Sequence, residues 1–178
     1  MFLLAAAILL FSNQNSSYAA DAELKTVPNI DVNRYLGKWF EVARLPMFFE
    51  RNCKYPITAE YSLNEDGNLN VTNKCADEKG EIDVSYGVAK QSYPDKNTIF
   101  AVNFLPKSLQ SISGLISPNY YIIALTDDYQ YAMVGSPSRK FLWILSRSDK
   151  PNKEIVATFK NQAKEMGFDT DKLIIVIE

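Results

Sequence analysis

The sequence predicts an all-β fold: an eight-stranded up-and-down antiparallel β-barrel followed by one C-terminal α-helix and a short final strand. Three observations predict it. Beyond Pro28, eight short runs rich in β-branched and aromatic residues follow one another across hairpin-length connections. Several of these runs alternate apolar and polar residues, and the period changes from 2 to 3.6 only once, near Pro151. No repeat, linker or low-complexity tract suggests a second domain.

The first run spans Lys38 to Leu45 and the second Ile57 to Leu63. "NEDGN" joins the second to the third, Leu69 to Cys75, with a glycine available for positive φ. The others are Ile82–Lys90, Thr98–Leu105, Tyr120–Thr126, Tyr129–Val134 and Phe141–Ser146. In the fourth run, alternation puts Ile82, Val84 and Tyr86 on one face and Asp83 and Ser85 on the other. After residue 151, Ile155, Val156, Phe159, Ala163 and Met166 recur on one helical face, with Pro151 at the start and Gly167 past the end. Leu173 to Ile177 is apolar throughout and reads as a ninth strand against the barrel's edge.

The amino end reads as a targeting segment. Phe2 to Phe11 is too short to span a bilayer but suits the core of a signal peptide, and Ser17-Tyr18-Ala19 fits a small-x-small cleavage site. The expected organisation is a signal peptide at 1–19, an extension at 20–28 and the barrel domain at 29–178. Export makes Cys53 and Cys75 a disulfide pair, closing a loop across the second and third runs, with two free thiols as the alternative. Asn70-Val71-Thr72 matches a glycosylation sequon, relevant only where exported chains are glycosylated.

Composition narrows function. The chain contains no histidine, which excludes Ser-His-Asp and Cys-His catalysis and haem ligation through imidazole. Carboxylate-pair and lysine chemistry are left open, but no spacing points to them, and neither metal nor cofactor is expected. A net charge of −2 gives no field for nucleic acid. Asp83, Lys54, Lys74 and Asp77 interrupt any lipid-facing belt, so a transmembrane barrel is rejected.

An eight-stranded barrel is filled by side chains or holds one small ligand. On the eighth run, Phe141, Trp143, Leu145 and Arg147 share a face, so an inward Trp143 brings Arg147 inward too. A buried guanidinium needs a tolerant partner, and the indole of Trp39, on a neighbouring strand once the sheet closes, is one; such a contact is worth about 2 kcal/mol when desolvated. Gly37 makes room beside the ring. One end of the barrel is then plugged and the other left open.

"GKW" at 37–39, "LTDDY" at 125–129 and "LWILSRS" at 142–148 resemble the three signature segments of the lipocalins, in matching order and spacing from Pro28 to Glu178. The phrasing "DVNRYLGKWFEVARLP" is most similar to the bacterial outer-membrane branch and the apolipoprotein D-like branch. The resemblance implies a non-catalytic calyx that binds, stores or transports a small hydrophobic ligand. The bacterial branch points to a fatty acid or lysophospholipid in cell-envelope lipid maintenance. A pigment or retinoid-like ligand is the alternative, and a thiol-dependent isomerase a further one. Bacterial outer-membrane members carry a lipidated cysteine at the cleavage site. None stands there in this sequence, which favours a periplasmic or secreted monomer or homodimer with at most peripheral outer-membrane association.

Candidate ligand contacts are Phe48 and Phe49, in a lid loop after the first run, with Trp143, Phe100, Phe104, Tyr131, Met133, Tyr86 and Val84 on the walls. Gly37, Trp39, Thr126, Asp127, Tyr129 and Arg147 are assigned to closing the barrel, with Asp127 bonding backbone donors at its turn. Arg51, Lys54 and Lys90 are candidates for an anionic head group. Burying about ten methylenes at roughly 0.8 kcal/mol each, against association costs of at least about 4 kcal/mol, points to low-micromolar affinity.

Overall fold

The computed structural model describes residues 23–104 and 116–176; the expected signal segment and the ends of the fifth and ninth runs lie outside them. The elements are a one-turn helix α1 (Val32–Tyr35), strands β1 (Gly37–Arg44), β2 (Lys54–Leu63), β3 (Leu69–Ala76), β4 (Ile82–Tyr93), β5 (Lys96–Asn103), β6 (Tyr120–Leu125), β7 (Tyr131–Gly135) and β8 (Leu142–Ser146), helix α2 (Lys153–Glu165) and strand β9 (Ile174–Ile175). Strands pair antiparallel in the order β2-β3-β4-β5-β6-β7-β8-β1, and a β1–β2 ladder closes the barrel. Each of the eight strands is thus paired on both sides over part of its length.

Strand β1 serves both neighbours in turn. Gly37 to Phe40 pair with β2, and Phe40 to Arg44 pair with β8. Where β2 has parted from it, the free side of Ala43 and Arg44 takes β9. The helical turn α1 is not read from hydrophobic periodicity, because one turn is too short to show a period. Its signal is local: Asp31 caps it by accepting hydrogen bonds from the backbone N–H groups of Asn33 and Arg34.

Two apolar clusters lie on opposite faces of the sheet. Trp39, Tyr35, Tyr61, Leu69, Val71, Ala89, Phe100, Ala132, Val134 and Leu145 belong to the inner one. The outer one lies beneath α2, where Val156, Phe159 and Ala163 pack with Val42, Tyr131, Met133, Leu142, Ile144 and Phe168. Asn152 caps α2 through Glu154 N, and Gly167 ends it at φ +87°. The amino-terminal extension is tied down as well: Leu24 is buried in the outer cluster, and Val27 N donates to Ile122 O at 3.0 Å.

Candidate functional site

The closed end is built around Trp39, which is wholly buried. Its Nε1–H donates to Tyr35 O at 2.9 Å, and the Arg147 guanidinium lies 3.8 Å from its ring centroid. Arg147 also donates to Lys38 O at 2.8 Å, Arg34 O at 2.7 Å and Tyr35 O at 3.1 Å, so one planar fork ties β8 to α1 and β1. Gly37 is needed for its backbone, not for space. Its φ is +89°, whereas a Cβ placed there would meet Arg147 Nη1 at an ordinary 3.6 Å.

The β6–β7 turn completes the seal. Thr126 Oγ1 donates to Asp128 Oδ1 at 2.6 Å and accepts from Tyr131 N at 3.1 Å. Asp128, not Asp127, takes the bracing part: its carboxylate also accepts from Gln130 N, and the Thr126 hydroxyl holds its pKa below the usual carboxylate range. Asp127 offers its backbone oxygen to Arg34 Nη2 at 2.9 Å. Tyr129, at φ +61°, receives Asp31 N on its hydroxyl at 2.7 Å and carries the Arg34 guanidinium 4.0 Å above its ring.

In the half of the barrel away from Trp39 there is a cavity of about 430 Å³, within the range of roughly 300–1,000 Å³ typical of small-molecule sites. Aromatic walls come from Phe49, Tyr61, Phe104, Tyr120, Phe141 and Trp143. Phe141 and Trp143 stack with centroids 6.1 Å apart, and Phe49 adds its ring 5.8 Å from Phe141. Cys53 and Cys75 form a disulfide at the same end, which fixes the segment carrying Phe48–Glu50 to the end of β3.

Of the residues expected on the walls, Trp143, Phe49 and Phe104 line the cavity. Phe48, its neighbour, is 78% exposed, with its ring edge-on to Phe49. Phe100 is buried below the cavity against Tyr120. The expectation for β4 is corrected: Tyr86 is 71% exposed on the outer face with Val84, and Asp83 and Ser85 line the cavity instead. The reason is register. Asp83, Ser85 and Gly87 lie opposite Cys75, Asn73 and Val71, and directly opposed residues share a face.

The expectation for β7 is corrected in the same way. Ala132 and Val134 oppose Leu145 and Trp143, so these small side chains face inward. Tyr131 and Met133 pack outside under α2, where the Tyr131 hydroxyl accepts from Asn152 N at 2.8 Å. The head-group candidates Arg51, Lys54 and Lys90 are not on the cavity wall. Lys54 pairs with Glu78 at 3.7 Å, and Lys74, opposite Val84, is exposed on the outer face.

One feature of the wall has a weak sequence signal. Glu41, two residues after Trp39, shares its inward parity and is only 4% exposed. A bulge between Glu41 and Ala43 returns Arg44 to the same side, where Arg44 Nη1 donates to Glu41 Oε1 at 2.8 Å. Arg44 also lies 3.5 Å from Glu50 Oε2, and Trp143 Nε1 donates to Glu50 Oε1 at 3.3 Å. Burial, and then the charge of Glu50, push Glu41 up to about 8. At neutral pH Glu41 therefore keeps its proton, and burial raises Glu50 as well.

The Lipocalin-like domain family matches residues 30–178. The outer membrane lipoprotein Blc of Vibrio cholerae is 34% identical over 178 residues, covering 99% of this chain and 96% of that protein. Mouse apolipoprotein D is 35% identical over 153 residues, covering 82% and 75%. Among solved structures, the cockroach allergen Per a 4 superposes with a TM-score of 0.64 at 20% identity, covering 89% of this chain and 95% of its own, a likeness of fold. The chain belongs to the lipocalin family, whose members bind small hydrophobic ligands.

Proposed function

We propose that the protein is an exported, non-catalytic carrier that takes one fatty acid or lysophospholipid into its calyx for storage or transport in cell-envelope lipid maintenance. The observation that carries this reading is the 430 Å³ hollow behind a sealed floor, walled by aromatic and aliphatic side chains and rimmed by Asp83 and Ser85. An acyl tail meets apolar walls in such a space, and a charged or zwitterionic head stays at the wet rim. The relatives named as outer membrane lipoproteins and as an apolipoprotein support an envelope lipid as cargo. Against the isomerase alternative stands the disulfide, which uses both cysteines of the chain.

Native mass spectrometry of protein purified from its own source tests the reading. The expected result is one acyl lipid per chain, released on denaturation. A bound chromophore, or protein that stays empty and takes up no acyl lipid when titrated, overturns it.

A further inference from the structure

Three tyrosines meet where the cavity gives way to the packed floor. The Tyr120 hydroxyl lies 2.8 Å from that of Tyr35 and 2.8 Å from that of Tyr61. Tyr61 and Tyr120 line the cavity, whereas Tyr35 is buried behind them against Trp39. Counting protons shows what is left over. Three hydroxyls carry three hydrogens, and two oxygen–oxygen contacts use two of them. Among the described residues no further acceptor reaches any of the three. A hydrogen left over on Tyr35 would be buried with nothing to meet, so Tyr35 donates to Tyr120, and the third hydrogen belongs to Tyr61 or Tyr120, both on the cavity wall.

A second observation falls on the same wall. Asn73 lines the cavity on β3, one interior position along from Val71, the cross-strand partner of Tyr61. Its Oδ1 is buried without a hydrogen-bond partner. The wall thus carries a donor without an acceptor and an acceptor without a donor. A pure hydrocarbon tail would leave both groups unmet, whereas a hydroxyl oxygen both accepts and donates.

We infer that the inner end of the calyx is a polar subsite, built by Tyr61 and Tyr120 with Tyr35 behind them and Asn73 beside them, for an oxygen at the buried end of an otherwise apolar ligand. This rests on the carrier reading and sharpens it: the preferred cargo is an oxygenated chain, not a plain one. Burial raises the pKa of all three phenols, so they remain neutral donors throughout the working range.

The test is displacement of the oxygen-free fluorescent probe N-phenyl-1-naphthylamine by hexadecanoic acid and by 16-hydroxyhexadecanoic acid. In the wild-type chain the hydroxylated acid is expected to bind about tenfold tighter, the discrimination of one buried hydrogen bond made or lost. The double variant Tyr61→Phe/Tyr120→Phe abolishes it and leaves the parent acid within about threefold. If the double variant does not fold, the single variants Tyr61→Phe and Tyr120→Phe carry the test, each cutting the preference to about threefold or less. Equal binding of the two acids by wild type, or an undiminished preference in the Tyr61 and Tyr120 variants, overturns the subsite and leaves the carrier standing. A wild-type chain that binds neither acid nor probe overturns both.

Discussion

Arg147 shows how much one side chain can hold. Its fork meets carbonyls on α1 and β1, and its flat face covers Trp39. A lysine cannot reproduce a planar fork with several donors. Arg147→Lys is therefore expected to destabilise the fold by about 2 kcal/mol, read as a lower urea midpoint with an unchanged slope. Glu41 makes a different kind of test. Between the ordinary carboxylate range and about 8, the folded chain keeps a proton that the unfolded chain has released. Stability must then fall as pH rises through that window. Glu41→Gln is isosteric with the protonated form and should flatten the fall, so melting temperatures of variant and wild type diverge by several degrees between pH 5 and pH 8. A parallel decline in both would show that Glu41 is ionised throughout.

Among the elements, α2 and the disulfide do separable jobs. Helix α2 covers the outer cluster, remote from the calyx, through Val156, Phe159 and Ala163. Phe159→Ala should cost about 3–5 kcal/mol of stability in urea titration, while ligand affinity of the remaining folded protein stays within about twofold. The Cys53–Cys75 bond spans 22 residues and should contribute about 3 kcal/mol on the chain-entropy estimate. It also fixes the segment bearing Phe49 and Glu50 at the mouth. Cys53→Ser/Cys75→Ser is thus expected to weaken both stability and ligand retention, with the off-rate in stopped-flow rising more than the on-rate falls.

For the molecule as a whole, the decisive feature is a hollow left inside a barrel that eight strands can fill. Val134 on β7 and Ala59 on β2 put small side chains where larger ones would plug it. Val102 lines the hollow and is only partly buried, so Val102→Trp has space to enter. That substitution should abolish probe binding in fluorescence titration while shifting stability by no more than about 1 kcal/mol. A large loss of stability with binding retained would mean that the hollow closes in solution.

Strand order, the late helix and the pairing of Trp39 with Arg147 were legible in the residues, because each rests on a local pattern. Alternation marks strands, a period of 3.6 marks α2, and a lone inward guanidinium demands an aromatic partner. The face of β4 and of β7 was not legible. Beneath α2 both sides of the sheet are apolar, and at the mouth the inner side turns polar, so alternation no longer says which side is in. Cross-strand register settles it, carrying the known inward face of Trp143 to Val134 and that of Cys75 to Asp83. The tyrosine group and the Glu41–Arg44–Glu50 cluster lay out of reach for a related reason. Tyr35, Tyr61 and Tyr120 are far apart along the chain and meet only because the sheet closes, and Arg44 faces Glu41 only because β1 bulges. Local chemistry writes the strands and the seal into the sequence; closure of the barrel decides which polar groups share the space inside.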